Sequence, residues 1–462
     1  MKQSHYTVVG AGVAGLTVAH QLAEQGHRVT VLERDTFVGG LARTWHYDAF
    51  HFDVGPHRFH TDNPRVERFI RDILGPHVIE IRRSSGVRMF DRFHEWPLRP
   101  SVFRAMPIRL MVAGVRDLVR RERLPGESFE ADVLNKYGRT LYEIFFRPYT
   151  KKFLGYDPAE LHRDWARAGV NRAVIDKRAS ADSLVSLIRT TLLPKPVDTT
   201  FLYTADGVGR FSDTLTERIR GRGSSVLTGR RVTGLDAAGE RITAVIAEGE
   251  RIETDGVIWT GPITEAASLL GAGQVDLEFL STVFYNLELS LPLNVNYQWT
   301  YFGGDEVFSR ITAPTAFAPT MAPPDAAGLT VEVTCREGDE RWQNPSGPVD
   351  AIVRDLVRTR VIDSERQIRQ LHVEPVRNTY PIYKLNYPAE LARTLRHLGR
   401  YRNLLLAGRC GRFWYNNMDH SIGQGLTMAE QVLRGRQLAD VDEGERAYWE
   451  DDAPAASGVE SR

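Results

Sequence analysis

The chain has 462 residues, more than one small core accommodates, so two or three substructures are expected. Lys plus Arg equals Asp plus Glu, at 59 each, which excludes a nucleic-acid binder driven by overall charge, though not a local basic site. Two cysteines, Cys335 and Cys410, supply neither a disulfide framework nor a thiolate metal site, and no metal is expected.

In chain order, residues 6–9 predict a buried strand. Gly10, Gly12 and Gly15 then form G-x-G-x-x-G, residues 16–25 predict a helix capped by Gly26, and 28–32 a second strand ending on Glu33. The first glycine permits a tight turn, the second lets a pyrophosphate approach the backbone, and the third lets helix and strand pack closely. Glu33, 21 residues after Gly12, is placed to accept hydrogen bonds from a ribose diol. No separate apolar leader precedes this strand and no run of about 18 apolar residues occurs, so neither membrane contact nor export is expected and a reducing, cytoplasmic setting fits. After Glu33 the stretch RDTFVGGLART adds Gly39, Gly40, Leu41 and Arg43, a second loop passing close to the cofactor. That extension resembles the FAD-dependent amine oxidase and sugar mutase superfamily, which makes FAD the expected dinucleotide.

Residues 50–61 carry His57 and His60 after a Gly-Pro turn. Residues 64–80 predict an amphipathic helix, and 87–97 a hairpin turning at Asp91-Arg92. Helical pattern dominates 101–153, with FFRPYTKKFLG at 145–155 reading either as a packed helix end or as a wall of the active site. FLYTADGVGRF (201–211) is an aromatic strand, a glycine turn and a helix start. Segments 225–235, 240–247 and 251–259 alternate like one small antiparallel sheet that closes on WTGP (259–262). Residues 280–335 are strand-rich, 350–369 helical, and 404–407 a buried strand before a helix starting near 420–423. The tail from 440 is acidic, then rich in Ala, Ser and Gly.

Taken together, GPHRFHT (55–61), RPYTKKFLG (147–155), FLYTADGVGRF, WTGP, FSRI (308–311), TYPIY (379–383 within NTYPIY) and GRCGRFWYNNMD (408–419) resemble the UDP-galactopyranose mutase family of flavoproteins, collinearly over most of the chain. The resemblance implies an α/β fold: a Rossmann-like FAD-binding domain built from discontinuous segments (1–95, 196–265 and 386–440), a helical insertion (96–195), a β-sheet substrate domain (266–385) and a disordered acidic tail (441–462). It implies an isomerase that interconverts pyranose and furanose forms of a nucleotide-diphosphate hexose, such as galactofuranose, at N5 of reduced FAD. NADPH is a candidate transient reductant, and a dimer is compatible with the apolar helix faces.

The same resemblance assigns residues. His57 stands beside the flavin, and Arg310 is the arginine of the sheet domain; both are catalytic candidates. Tyr149, Tyr380 and Tyr415 match phosphate-binding tyrosines, Tyr203 a further tyrosine lining the site, and Asn417 a substrate-binding position. Cofactor contacts fall on Gly10, Gly12, Ala14, Gly15, Glu33, Arg34, Gly40, Leu41, Arg43, His57, Val232, Thr260, Gly261, Arg409, Met418 and Asp419. Arginines suit a leaving diphosphate, being always charged and bidentate, and tyrosines donate to it at low entropic cost. Three positions depart from the family: Leu154 replaces a tryptophan, Ala168 a second phosphate arginine, and Asn417 an aspartate. They leave open a different nucleotide, a deoxy sugar or a different reaction. The competing expectation is an oxidoreductase of the amine oxidase or desaturase type, which needs an apolar pocket; Arg147, Lys151, Lys152 and Arg163 suit either an anion or a solvated face.

Overall fold

The computed structural model describes residues 3–96, 102–119, 124–166 and 199–434. Arg167, Ala168, Arg172 and the tail 441–462 lie outside them. The chain forms two compact units, one from Met1–Gly40, Ser212–Val275 and Leu391–Arg462, the other from Leu41–Phe211 and Asp276–Glu390.

Among the described residues the first unit holds a five-stranded parallel sheet. Its order is Leu404–Leu406, Gly256–Trp259, His5–Val9, Arg28–Leu32 and Ser225–Leu227. Val8, Val29, Val31, Val257 and Ile258 are wholly buried. Both faces of the sheet are covered, which is why these strands read as apolar runs without alternation. The helix Val13–Glu24 packs on the helix Met418–Leu433 so closely that a Cβ at Gly425 would meet the Thr17 Cβ at 2.9 Å. The single antiparallel sheet expected over 225–259 is two structures. Val232–Ala238, Arg241–Ala247 and Glu250–Glu253 pair antiparallel, whereas Ser225–Leu227 and Gly256–Trp259 join the parallel sheet. The buried run Gly256–Trp259 needs cover on both faces, which a three-stranded antiparallel sheet does not give.

The second unit is built on a seven-stranded mixed sheet. Its order is Ile368–Ile382, Glu278–Ser290, Ala326–Cys335, Arg310–Thr312, Trp299–Phe302, Ser85–Met89 and Arg92–Glu95. One apolar cluster on it includes Tyr285, Leu287, Phe302, Phe308 and Val331, each fully buried. The hairpin turns at Phe90 and Asp91, whose φ angles are 51° and 57°, one residue earlier than expected. Helices Ile108–Val119, Phe129–Leu141 and Arg147–Leu154 follow, with a π-helical turn, Tyr142–Phe146, between the last two. Two expected helices stop early. The first ends at Leu74, where Gly75 (φ 54°) and Pro76 break it, and Val78–Arg82 pairs with Thr200–Thr204 as a strand. The other spans only Val349–Arg358, because the chain enters the long strand at Ile368.

Candidate functional site

In the first unit the glycine turn sits at the carboxyl end of the central strand, the place where open α/β sheets bind ligands. Gly10 has φ +101°, and a Cβ there would clash with Thr260 Oγ1; at Gly15 it would clash with the Gly10 carbonyl. Thr260 Oγ1 donates to the Val9 carbonyl at 2.8 Å, so Thr260 and Gly261 close one side of the turn. Gly12 is different: a Cβ there meets nothing within 4 Å. It is the N-cap of Val13–Glu24, and the first N–H groups of a helix have no partner within the helix. A diphosphate fits such a terminus.

Glu33 is buried, 8% exposed. Its Oε2 accepts from the Ala11 N–H at 2.7 Å and its Oε1 from the Asp35 N–H at 3.0 Å. Each oxygen keeps a second lone pair for a ribose hydroxyl. Burial raises its pKa, and the two backbone bonds oppose the shift. Gly39 N donates to the Ala11 carbonyl at 2.8 Å, and a Cβ on Gly40 would lie 3.3 Å from Gly12 Cα, so the second glycine loop lies against the first. These residues fit the ADP half of FAD.

The remaining cofactor candidates of this unit divide in two. Ala14 faces Gly408, where a Cβ would stand 3.1 Å from its own, and Gly408 N donates to Gln424 Oε1 at 2.7 Å. Arg409 donates to the Asn416 carbonyl at 2.5 Å and lies 5.2 Å over the Tyr415 ring. Asn417 caps the last helix, which begins at Met418, earlier than expected, and its N–H donates to His420 Nδ1 at 3.1 Å. Met418 is buried and Asp419 half-buried there. Arg34 pairs with Glu265 at 3.3 Å, and Val232 starts the small antiparallel sheet.

The second unit carries the charged centre. Arg310 and Glu332 are directly opposite on neighbouring strands. Arg310 Nε donates to Glu332 Oε1 at 2.7 Å and Nη2 to Oε2 at 2.6 Å, a bidentate pair, while Nη2 also donates to the Tyr380 hydroxyl at 2.9 Å. Glu332 is fully buried. Desolvation pulls the Arg310 pKa down, but Glu332 and Tyr380 outweigh it and hold the guanidinium charged. Among the described residues Arg310 Nη1 makes no hydrogen bond, which leaves two donors for a ligand. The loop of GPHRFHT touches this pair: a Cβ on Gly55 would stand 3.4 Å from both Arg310 Nη2 and Glu332 Oε1, and His57 N donates to the Gly55 carbonyl at 2.8 Å.

An aromatic ladder adjoins the clamp. Phe145, Tyr149 and Phe153 recur every four residues along one helical face, stacked at 5.7 Å in each step. Phe153 meets Tyr380 edge-on at 5.1 Å, and Tyr149 meets Tyr301 at 6.2 Å. Tyr149, Tyr380 and Arg310 are thereby brought together. Tyr203 is not: it is fully buried, its ring against Phe317 and its hydroxyl donating to Asp53. Asp53 also accepts from Thr44 Oγ1 at 2.7 Å and Val208 N at 3.0 Å. Burial lifts the Asp53 pKa to about 6 against these bonds. Arg43 is buried over Trp45, and Leu41 packs on the neighbouring cluster.

Of the basic residues near 150, Arg147 and Lys151 pair with Asp157, and Lys152 with Glu306, so their charge is matched locally. Leu154 is fully buried beside a cavity of about 380 Å³ that Lys152 and Arg336 also line. Glu332 and Asp53 were missed from sequence. An acid inside the apolar strand LTVEVTC was the available signal for the first.

A probable UDP-galactopyranose mutase of Klebsiella pneumoniae is 30% identical over 175 residues, covering 35% of this chain and 44% of that protein. A dTDP-fucopyranose mutase of Escherichia coli is 26% identical over 168 residues, covering 33% of this chain and 42% of that protein. The matched stretch thus spans less than half the length of either relative. A crystal structure of reduced UDP-galactopyranose mutase superposes with a TM-score of 0.78 at 20% identity, covering 94% of this chain and 96% of that one, which shows the expected α/β fold. Residues 13–433 match the flavin containing amine oxidoreductase family, and the chain belongs to that family.

Proposed function

We infer that this flavoprotein is a mutase that interconverts pyranose and furanose forms of a nucleotide-diphosphate hexose. The observation that carries the reading is the Arg310–Glu332–Tyr380 clamp, a permanently charged guanidinium held rigid with two N–H donors to spare. Such a group suits the charge that builds on a departing diphosphate. Two of the relatives are mutases of nucleotide sugars by name, and one name carries a 6-deoxy hexose.

Gly10, Gly12, Gly15 and Glu33 would hold the ADP half of FAD, and Ala14, Arg34, Gly40, Val232, Thr260, Gly261, Arg409, Met418 and Asp419 are assigned to the same cofactor. When bound and reduced, FAD supplies an electron-rich N5 for covalent catalysis at an anomeric carbon. The rest of the work falls to side chains. Arg310 binds and orients the diphosphate, and Tyr149 and Tyr380 border it through their phenol groups. Tyr203 and Asp53 tie the Gly207–Gly209 turn to the strand that precedes His57, a positioning role. Leu41, Arg43 and His57 beside the flavin, and Tyr415 and Asn417 on substrate, rest on the family resemblance. NADPH is proposed as the transient reductant, and the sheet domain 266–385 as the substrate floor.

The family match supports a second reading, an FAD-dependent oxidoreductase of the amine oxidase or desaturase type. One experiment separates them. The purified protein is reduced with dithionite without oxygen and offered UDP-, GDP- and dTDP-hexoses, with isomers resolved by chromatography. An isomer formed only with reduced flavin is expected. No isomer, with bleaching of the oxidised flavin by an amine or a polyene, would replace the mutase by the oxidoreductase.

A further inference from the structure

The helix Ile108–Val119 presents one face to solvent. Ile108, Val112 and Val115 are 71%, 64% and 60% exposed, at spacings of four and three that align them in a single ridge. Arg109 and Arg116 are exposed along one flank of that ridge. The helix has one acid, Asp117, and it points elsewhere: its Oδ2 accepts from Thr140 N at 2.6 Å, on the following helix. The exposed face therefore consists of aliphatic side chains and guanidinium groups, with no acid on it. The sequence around it is biased the same way, with six arginines against Asp117 and Glu122 between residues 102 and 123, in a chain whose charges balance.

We propose that this face is a peripheral docking surface for an anionic lipid bilayer. An apolar ridge with cations along its edge suits the boundary between acyl chains and acidic headgroups, where the ridge enters and the arginines meet phosphate. Three aliphatic side chains are too small a patch for a stable interface between two protein copies. Pairing the face with itself about a two-fold axis would also bring arginines against arginines. Among the described residues no helix is long and apolar enough to cross a membrane, so the contact lies on the surface of the bilayer.

The test is co-sedimentation of the full chain with vesicles of phosphatidylcholine alone or mixed equally with phosphatidylglycerol. Binding at least about tenfold tighter to the anionic vesicles is expected, weakening with salt. Val112→Asp and Arg109→Glu should each lose it while keeping the wild-type circular dichroism melt. These positions are exposed, and Gln at both keeps the test open if Asp or Glu lowers the melting temperature. Equal binding to neutral vesicles, or none to either, overturns the proposal. So does a concentration-dependent dimer that Val112→Asp abolishes, which would make the face an interface between copies.

Discussion

Glu332 sets the terms on which Arg310 meets any ligand. The carboxylate takes the Nε–Nη2 edge of the guanidinium and leaves Nη1, so Arg310 arrives pre-oriented. Arg310→Lys keeps a cation beside Glu332 but loses the fork. Nucleoside diphosphate affinity should fall by about 10- to 100-fold, the worth of one charge-assisted bond, with little change in melting temperature. Calorimetry with UDP and dTDP reads this, and unchanged affinity would remove Arg310 from the phosphate site. Arg310→Ala should instead strand a buried carboxylate and cost about 3–5 kcal/mol of stability. Asp53 makes a second prediction. Its folded carboxyl takes up a proton at about pH 6, whereas an ordinary aspartate does so at 3.8. The folded state therefore binds more protons in that window, and stability falls as pH rises from about 4 to 6, by about 3 kcal/mol for a two-unit shift. Asp53→Asn keeps an acceptor for Thr44 and Val208, and its melting temperature should vary less across the window. An identical slope would locate the dependence elsewhere. From sequence, Arg310 could be named through a motif, but its partner could not. The two meet through strand register across 22 positions, which no local pattern encodes.

At the scale of elements, the glycine turn separates two jobs that its three residues share. Gly15→Ala forces a side chain into backbone and should destabilise the protein even without cofactor. Gly12→Ala meets open space, so the cofactor-free melt should stay within about 2 °C while FAD retention collapses, because only a bound phosphate needs that volume. Retention of FAD by Gly12→Ala would place the diphosphate elsewhere. This opening was legible because strand, turn, helix and acid all fall within 30 residues of one another. The stretch 225–259 was less so. Alternation identifies strands, but not which sheet each one joins, and Ser225–Leu227 pairs with Thr30–Leu32, far along the chain. The helix beginning at Pro64 was over-extended because its period persists past Gly75-Pro76, where the backbone turns away.

For the molecule as a whole, the balance of 59 cationic and 59 anionic residues leaves no net charge to keep copies apart near neutral pH. Solubility should pass through a minimum close to pH 7 and improve with moderate salt, as measured by polyethylene glycol precipitation. A flat profile would show that local patches, not the total, govern association. The order of the parallel sheet bears on how this protein is made. Residues 256–259 lie beside 5–9 on one side and 404–406 on the other. During synthesis the strand Gly256–Trp259 thus waits, one hydrogen-bonding edge bare, until the ribosome has delivered Leu404 and the segment behind it. Pairing at such separation is slow, and bare apolar edges invite aggregation. Truncated or stalled chains should therefore be clients of holding chaperones, and yield in a heterologous host should depend more on chaperone supply than on the stability of the finished protein.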